Sequence, residues 1–305
     1  MARDFDYIRQ LRNRIPPSPG VIVGPGDDCA VLARPLRPVL VTTDMLQDGV
    51  DFILSDSGPR MAGRKAMAVN LSDIAAMAGV PTAAVVGLCL PKSGGEAVAN
   101  GVFDGLKEVA DEFNVAIVGG DTNSWEGPLV ISVTILGETT IRGPVKRNGA
   151  KPRDWLFVTG PLGGSILGRH LNPKPRIKEA LALHSAHDLH AMIDISDGLA
   201  ADVAHLCEES GCGAILEESL IPIHPDARER AKQTGKSALH HALHDGEDFE
   251  LAFAVSPDDG RNLSESQPIP GMIIHRIGKC VESGIWLQNE QGRTPLEPSG
   301  WVHTW

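Results

Sequence analysis

The chain has 305 residues, of which 42% are hydrophobic and 22% are charged, a composition typical of folded globular proteins that excludes disorder of the whole chain. The length predicts about two domains. The 28 Lys and Arg residues against 39 Asp and Glu give a net charge of −11. This acidic excess argues against nucleic acid or an anionic membrane surface as the partner, because both require a basic face.

Strands and helices alternate in the first half of the chain. An amphipathic helix is predicted within residues 1–19, where a run of prolines ends it. Two further helical patterns cover residues 60–78 and 94–113. Apolar and β-branched runs predict the strands Val21–Val23, Val39–Thr43, Ala83–Leu90, Val115–Val118 and Leu129–Gly137. This alternation predicts a layered fold of the α/β or α+β class.

A polar segment near the middle of the chain predicts a domain boundary. Residues Thr139–Asp154 contain Gly and Pro but no apolar periodicity. We therefore set two domains, residues 1–146 and 147–305. The second domain is predicted to contain a helix over 198–210, short strands after Gly271, and the strands Trp155–Thr159, Ala214–Leu216 and Phe249–Val255.

The N-terminal segment and the cysteines predict the cellular compartment. The segment MARDFDYIRQLRNR carries charges of both signs and has neither the apolar stretch of a signal peptide nor the composition of a transit peptide. No apolar run reaches the roughly 18 residues of a membrane helix. The five cysteines form neither a CxxC pair nor a disulfide framework. We therefore expect a cytoplasmic protein that does not span a membrane.

Several aspartates follow apolar runs or interrupt an apolar helix. They are Asp27 and Asp28 in a Gly-flanked turn, Asp44 and Asp121 at the ends of apolar runs, Asp194 and Asp197 at a strand-to-helix transition, and Asp73, one turn after Asn70, within an apolar helix. Each acid alone is explained equally well as a helix cap or a turn residue. The joint pattern favours a functional cluster.

The chemistry of these acids points to bound cations. An ionised carboxylate in apolar surroundings is costly unless it is paired or metal-bound, and few Lys or Arg residues stand near these motifs. Oxygen ligands without His or Cys favour Mg²⁺, which completes its shell with water and substrate phosphates. Glycines beside the acids leave backbone N–H groups open to phosphate. The pattern predicts metal-assisted phosphate chemistry.

The common nucleotide and hydrolase motifs are absent from the sequence. Gly235-Lys236-Ser237 is not a P-loop, because Arg230 stands where the first glycine is required. There is no kinase catalytic loop or DFG, no GxGxxG after a strand, no GxSxG and no HExxH. A phosphotransferase built on this sequence uses none of these motifs.

Two groups of histidines have the spacing of a helix face, namely His184, His187 and His190, and His240, His241 and His244. No Cys or carboxylate accompanies them at the spacing of metal ligands. We expect solvated helix faces rather than a zinc site.

The motifs taken together resemble one known family. GPGDDCAVL, VTTD, KAMAVNLSDIAAMAGVP, VGGDT, MIDISDGL, DGEDFEL and GWVHTW occur in this order along nearly the whole chain and are similar to the thiamine-monophosphate kinase family. The ordered set is far more specific than a single GGD. The resemblance implies the PurM-like fold of aminoimidazole-ribonucleotide synthetase, in which ATP-binding N-terminal domains pair as a homodimer into a β-barrel and the C-terminal domain is α/β.

The resemblance also implies a role for individual residues. The Mg²⁺ ligands would be Asp28, Thr42, Thr43, Asp44, Asp73, Asp121, Asp194 and Asp197. The contacts with ATP would be Phe103, Gly120, Asp121, Arg147 and Ser196. The contacts with the thiamine substrate would be Asp51, Glu247 and Trp301, and the acids central to catalysis would be Asp44, Asp121 and Asp197.

The implied reaction is in-line transfer of the ATP γ-phosphoryl group to thiamine monophosphate, giving thiamine diphosphate and ADP. The attacking phosphate oxygen is already anionic at neutral pH, so no strong general base is needed. This agrees with the lack of an evident catalytic His or nucleophilic Cys. Catalysis would consist of positioning and of charge neutralisation by several Mg²⁺ ions.

The sequence departs from the family pattern at three places, and these departures leave other acceptors open. Asp51 stands where the family often has His, Asp245 where it usually has Gly, and Asn123-Ser124-Trp125 where Thr-Arg is more usual. The alternatives are another ATP-using enzyme of the same superfamily and a non-catalytic nucleotide binder. Selenophosphate synthesis is disfavoured because no N-terminal Gly-rich segment carries a Cys followed by Lys. Activation of a carboxylate or amide is disfavoured by the GED[FY]EL and GW-x-H motifs.

Overall fold

A computed structural model describes residues 13–24 and 29–301. Asp27, Asp28 and most of the predicted N-terminal helix lie outside this range. The chain divides into two compact units, the first formed by the chain up to Asn70 with Pro81–Glu138, the second by Leu71–Val80 with the chain from Thr139 onward. Within the described residues, no helix has both the length and the apolarity needed to cross a membrane.

The described residues of the first unit form a four-stranded sheet, a small two-stranded sheet, one helix and most of a second. The elements are β1 (Val21–Val23), β2 (Val31–Leu32), β3 (Val39–Gln47), α1 (Leu54–Ala76), β4 (Val80–Pro91), α2 (Gly95–Glu112), β5 (Ala116–Trp125) and β6 (Val130–Glu138). The last turns of α1 belong to the second unit. The larger sheet has the strand order β3-β6-β4-β5, with β3 antiparallel to β6 and β4 parallel to β5.

Side chains of this sheet alternate between a buried and an exposed face, as the period of two in a strand requires. In β6 the buried positions are Ile131, Val133 and Ile135. The opposite face is apolar but exposed, with Val41 at 65% and Met45 at 68%. Soluble monomers seldom leave such a face uncovered.

Helices α1 and α2 approach each other to backbone contact. A methyl group at Gly63 would collide with the carbonyl of Val102, and one at Gly105 would collide with the carbonyl of Arg60. Helix α1 is interrupted at Gly58, whose φ of 72° is non-helical. Pro59 follows at a position where its missing N–H costs nothing, because the helix restarts there.

The second unit is built on a seven-stranded sheet. The elements are β7 (Trp155–Val158), α3 (Ile177–Ala186), β8 (Leu189–Asp194), α4 (Leu199–Ser210), β9 (Gly213–Glu217), α5 (Pro225–Thr234), α6 (Ala238–His244), β10 (Leu251–Val255), α7 (Pro257–Ser266), β11 (His275–Val281), β12 (Ile285–Asn289) and β13 (Gly292–Pro295). The strand order in the sheet is β13-β12-β9-β11-β7-β10-β8. Strands β7, β8 and β10 are almost wholly buried apolar runs, as expected of strands covered on both faces.

Within the described residues, the predicted helices and strands are present with small shifts of their ends, except where two acids were expected to follow strand ends. Asp44 and Asp121 lie inside β3 and β5 instead. Strand β5 continues through Gly119 and Gly120 because its backbone stays paired with β4 as far as Trp125. Gly120 is required there, since a side chain would collide with the carbonyl of Val86.

Candidate active site

In the second unit, the segment Ile195–Gly198 between β8 and α4 is held by backbone hydrogen bonds to two distant parts of the chain. The N–H groups of Glu247 and Phe249 donate to the carbonyls of Ser196 and Ile195, at 2.7 and 2.8 Å. The N–H of Trp301 donates to the carbonyl of Asp197 at 2.9 Å. These bonds bring together four residues that the sequence predicted for one site, namely Ser196, Asp197, Glu247 and Trp301.

The backbone around Glu247 is in an unusual conformation. Glu247 has a φ of 62° and Phe249 a φ of 50°, the left-handed region that side-chain-bearing residues rarely occupy. Gly246, which precedes Glu247, has to be glycine because a Cβ there would lie 2.6 Å from the carbonyl oxygen of Ser196. Such outliers concentrate at functional sites, where the surrounding structure must hold them.

Asp194 ends β8 as a buried acid with an acidic neighbour. The hydroxyl of Ser72 donates to Asp194 Oδ2 at 2.6 Å. Burial, and then the charge of Asp73, raise the pKa of Asp194, while the Ser72 hydrogen bond and the charge of Arg147 oppose this rise. The structure therefore groups Asp73, Asp194 and Arg147, and it makes this carboxylate pair a place where a cation would be stabilised.

Asp202 lies beside the segment that follows Asp194, and the sequence motifs did not predict it as a site residue. It is 2% exposed, and its Oδ2 accepts the N–H groups of Asp197 and Gly198, both at 3.1 Å. Burial, followed by the charges of Asp194 and Asp197, raises the pKa of Asp202 to about 8. The available signal was an acid on the apolar face of α4, beside Leu199 and Val203.

In the first unit, β3 carries Asp44 toward helix α1. The N–H of Asp44 donates to Asn70 Oδ1 at 2.9 Å, and Asn70 Nδ2 donates to the carbonyl of Ala66 at 2.9 Å. Asn70 is fully buried, so its side-chain amide fixes the position of the β3 backbone at Asp44 relative to helix α1. Thr42 shares the face of Asp44 by strand alternation.

Thr43 lies on the opposite face of β3 from Thr42 and Asp44. Its hydroxyl donates to the carbonyl of Val133 at 3.1 Å and accepts from the hydroxyl of Thr134 at 3.0 Å. The structure therefore does not bring the Thr43 side chain to the face where Asp44 lies.

Asp121 and Asp44 lie at nearly the same level on opposite edges of the sheet. The level follows from residue pairs across the sheet. On one edge, Asp121 of β5 pairs with Gly87 of β4, and a Cβ at Gly87 would lie 3.8 Å from Ser132 Cβ of β6. On the other edge, Asp44 of β3 pairs with Val133, the residue next to Ser132. Three strand spacings separate the two edges by roughly 14 Å. One Mg²⁺ ion, whose oxygen ligands lie about 2.1 Å away, cannot contact both acids within one copy of the sheet.

Phe103 and Asp51 occupy separate places in the first unit. Phe103, on α2, is 6% exposed and lines a shallow pocket with Ile15 and Lys107, while the guanidinium of Arg14 lies 4.6 Å from its ring centroid. Asp51 accepts the N–H of Gln47 at 2.7 Å. The Asp51 carboxylate therefore closes the turn after β3.

No group of three or more His, Cys, Asp or Glu side chains within residues 13–24 and 29–301 is arranged to hold a metal ion alone. The acids instead stand in smaller sets, such as Asp73 with Asp194. An ion bound by such a set would take its remaining ligands from water or phosphate oxygens, which is the usual coordination of Mg²⁺.

The expectation of solvated histidine faces is wrong for most of these residues. His184 and His187 are buried, with His184 Nε2 3.1 Å from the carbonyl of Gly143 and His187 Nδ1 3.2 Å from Asp259. His190 Nδ1 lies 2.7 Å from Asp154 Oδ2. His241 is also buried. These side chains are partners of acids and carbonyls in the core.

Comparisons with known proteins agree with this geometry. Residues 26–139 match the family model "AIR synthase related protein, N-terminal domain", and residues 142–284 match that of the C-terminal domain. Thiamine-monophosphate kinase of Rhodopirellula baltica is 42% identical, covering 97% of this chain and 96% of the relative. The relative from Bacillus subtilis with the same name is 33% identical over 98% of this chain and 99% of its own length.

Solved structures give the same result. The crystal structure of thiamine-monophosphate kinase from Stenotrophomonas maltophilia K279a is 30% identical, covers 92% of this chain and 94% of its own, and superposes with a TM-score of 0.77. On the strength of both domain matches and of these relatives, the chain belongs to the thiamine-monophosphate kinase family and has the two-domain α/β fold of the AIR synthase related proteins.

Proposed function

We propose that this chain transfers the γ-phosphoryl group of ATP to thiamine monophosphate and forms thiamine diphosphate and ADP. The observation that carries the proposal is the meeting of Ser196, Asp197, Glu247 and Trp301 around one backbone segment. The relatives' name supports the substrate. A solved structure described as AaThiL complexed with AMPPCP and TMP, 29% identical and with a TM-score of 0.77 over 98% of this chain and 96% of its own, supports the pair of ligands.

The residues around Ser196 have the chemistry that the acceptor requires. The side chain of Trp301 is 56% exposed and offers a flat aromatic face on which a cationic thiamine ring can stack. Glu247 offers a carboxylate to the same cationic ligand. Ser196 and Arg147 of the second unit would contact ATP, and so would Phe103 and Gly120 of the first unit.

The donor set fits Mg²⁺. The residues that would hold it are Asp44, Thr42 and Asp121 in the first unit and Asp73, Asp194 and Asp197 in the second, with Asp28 outside the described residues. Thr43 is left out of this set as a side-chain ligand, because its hydroxyl lies on the opposite face of β3. The buried Asp194 and the half-buried Asp73 form a set of oxygens that a cation would stabilise, since burial and then the charge of Asp73 raise the pKa of Asp194. Bound there, Mg²⁺ supplies neutralisation of phosphate charge.

Asp44, Asp121 and Asp197 are the acids on which turnover would depend most. The chain itself has to bind and orient two anionic phosphates and exclude water from them. The attacking oxygen needs no deprotonation at neutral pH, so the positioning of both substrates accounts for most of the rate.

A homodimer belongs to this proposal. The exposed face of the first unit's sheet carries Val39, Val41, Met45 and Val85, each at least 40% exposed. Pairing this face with that of a second copy would bury the apolar side chains and form a β-barrel. The expected result of sedimentation is a dimer for the wild type and a monomer for Val41→Glu combined with Met45→Lys. A dimer that persists in the double variant contradicts this interface.

The same proposal includes two domains, an ATP-binding and dimerising domain at residues 1–146 and a C-terminal domain at residues 147–305. It also includes a cytoplasmic location. Neither nucleic acid nor a membrane is expected as a partner, because the net charge is −11.

The test of function is release of ADP from Mg-ATP, with thiamine monophosphate as the acceptor and mass detection of the product. Thiamine and an assay without acceptor are the controls. Thiamine diphosphate formed only from the monophosphate supports the proposal. Release of ADP that does not depend on thiamine monophosphate would point to another acceptor, and a nucleotide-dependent thermal shift without any ADP would point to a non-catalytic binder.

A further inference from the structure

Asp245–Phe249, here named the acidic loop, is fastened to a glycine-rich turn by three hydrogen bonds. The N–H of Gly163 donates to Asp248 Oδ2 at 2.7 Å, and the N–H of Gly164 donates to Asp245 Oδ2 at 3.0 Å. The hydroxyl of Ser165 donates to the carbonyl of Gly246 at 2.6 Å. The backbone N–H groups of this turn are therefore already used by carboxylates.

The two carboxylates that bind the turn, those of Asp248 and Asp245, are here named the anchors. Asp248 is the more deeply buried of the two. Its side chain is 0% exposed, and Arg169 Nη2 donates to its Oδ1 at 3.0 Å. Arg169 also donates to the carbonyl of Gly163 at 2.9 Å and to Asp226 Oδ2 at 2.9 Å. A single guanidinium thus joins the turn, helix α5 and the acidic loop.

Asp245 is the outer anchor, and it continues into a second chain of contacts. Both of its carboxylate oxygens lie 3.0 Å from His241 Nδ1. His241 Nε2 lies 2.7 Å from the hydroxyl of Thr234, and His241 is 3% exposed. This chain of contacts ties the acidic loop to helices α5 and α6.

Glu247 stands between the two anchors in a left-handed conformation, with a φ of 62°. A residue with a side chain keeps such a conformation only where its surroundings impose it. The anchors fix the backbone on both sides of Glu247, and the bond from its N–H to Ser196 fixes the middle. The orientation of the Glu247 side chain depends on all three.

We propose that Asp245 and Asp248 are positioning residues that hold Glu247 in place for the acceptor substrate, and that Thr234 and His241 support Asp245 in this role. The inference rests on the proposed function, in which Glu247 contacts thiamine monophosphate. Neither aspartate contacts the substrate. Their carboxylates act through the backbone of the acidic loop.

The kinetic test compares Asp245→Ala with Asp245→Asn and uses Asp188→Ala, an exposed acid of the same unit, as the matched control. In Asp245→Ala the KM for thiamine monophosphate should rise about tenfold, the factor that corresponds to about 1.4 kcal/mol, while the KM for ATP stays unchanged. Asp245→Asn keeps an oxygen that accepts from Gly164 N–H and should restore most of the affinity. A merely structural role would change both KM values alike, or lower only the melting temperature.

Amide hydrogen exchange tests the positioning without any turnover. In Asp245→Ala the N–H groups of Gly164 and Glu247 should exchange faster, whereas Asp188→Ala should leave them unchanged. If Asp245→Ala does not fold, His241→Gln breaks the same anchor one contact further away and should show the same exchange and the same selective rise in KM.

Three results would overturn the inference: unchanged exchange at Gly164 and Glu247, an unchanged KM for thiamine monophosphate, or equal changes for both substrates. Wild-type protein that fails to phosphorylate thiamine monophosphate would instead overturn the proposed function. In that case the exchange data still decide whether the anchors hold Glu247.

Discussion

The carboxylate of Asp202 accepts the backbone N–H of Asp197 at 3.1 Å, so a buried acid on helix α4 fixes the backbone of an acid predicted to hold metal. The N–H of Gly198 donates to the same oxygen. The turn between β8 and α4 is therefore shaped by a side chain that is not among the predicted site residues.

Replacing Asp202 by Asn should change how stability depends on pH. The pKa of Asp202 is raised from 3.8 to about 8, so between these values the folded protein keeps a proton that the unfolded chain has lost. The free energy of unfolding of the wild type therefore falls as pH rises from about 4 to about 8. The asparagine of Asp202→Asn does not titrate, so the variant does not lose this stability. The melting temperature of the variant minus that of the wild type should therefore become larger from pH 5 to pH 8.

The measurement is thermal unfolding of both proteins across this pH range, without Mg²⁺ or nucleotide. Asp258→Asn, an exposed acid at the start of α7, serves as the control and should follow the wild type. Parallel curves for Asp202→Asn and the wild type would show that Asp202 does not titrate in this window.

Gly120→Ala should destabilise the first unit, whereas Gly119→Ala should be tolerated. A Cβ at Gly120 would collide with the carbonyl of Val86 across the β4–β5 pair, while a Cβ at Gly119 meets no atom within 4 Å. We expect a loss of about 1–3 kcal/mol for the first change and less than about 0.5 kcal/mol for the second. Denaturant unfolding measures both, and equal losses would contradict the close approach of the strands.

Asp44→Asn and Asp121→Asn should each lower kcat by at least about a hundredfold, the effect of removing one electrostatic contact to a transition state. The fold should remain, because neither acid is fully buried. Glu112→Gln, an exposed acid at the end of α2, is the isosteric control. Near wild-type kcat in either folded aspartate variant would remove that acid from the proposed metal ligands.

Trp301→Ala should raise the KM for thiamine monophosphate by about tenfold, since stacking of a base on an aromatic side chain contributes roughly 1–3 kcal/mol. Trp301→Phe keeps an aromatic face and should lose much less. The KM for ATP should be the same in all three proteins. A rise in the KM for ATP as large as that for thiamine monophosphate would place Trp301 elsewhere in the reaction.

The sequence predicted most strands and helices because apolar periodicity and turn residues are local signals. The family motifs assigned Ser196, Asp197, Glu247 and Trp301 to the site, and backbone hydrogen bonds bring these four residues near each other. It could not predict that β5 continues past Gly119 and Gly120, because that depends on pairing with β4. Asp202 and the anchors of the acidic loop were missed for the same reason, since their partners are backbone groups that only the tertiary structure brings near.

The contact of α1 with α2 has a consequence for inherited or engineered variants far from any substrate. Gly63 and Gly105 allow the two helices to touch, and α1 carries Asn70, which binds the backbone of Asp44. A methyl group at either glycine would push α1 outward and withdraw Asn70 from that strand. A single added carbon atom at the contact of α1 with α2 can therefore cause loss of function in this protein, although every predicted catalytic side chain is intact.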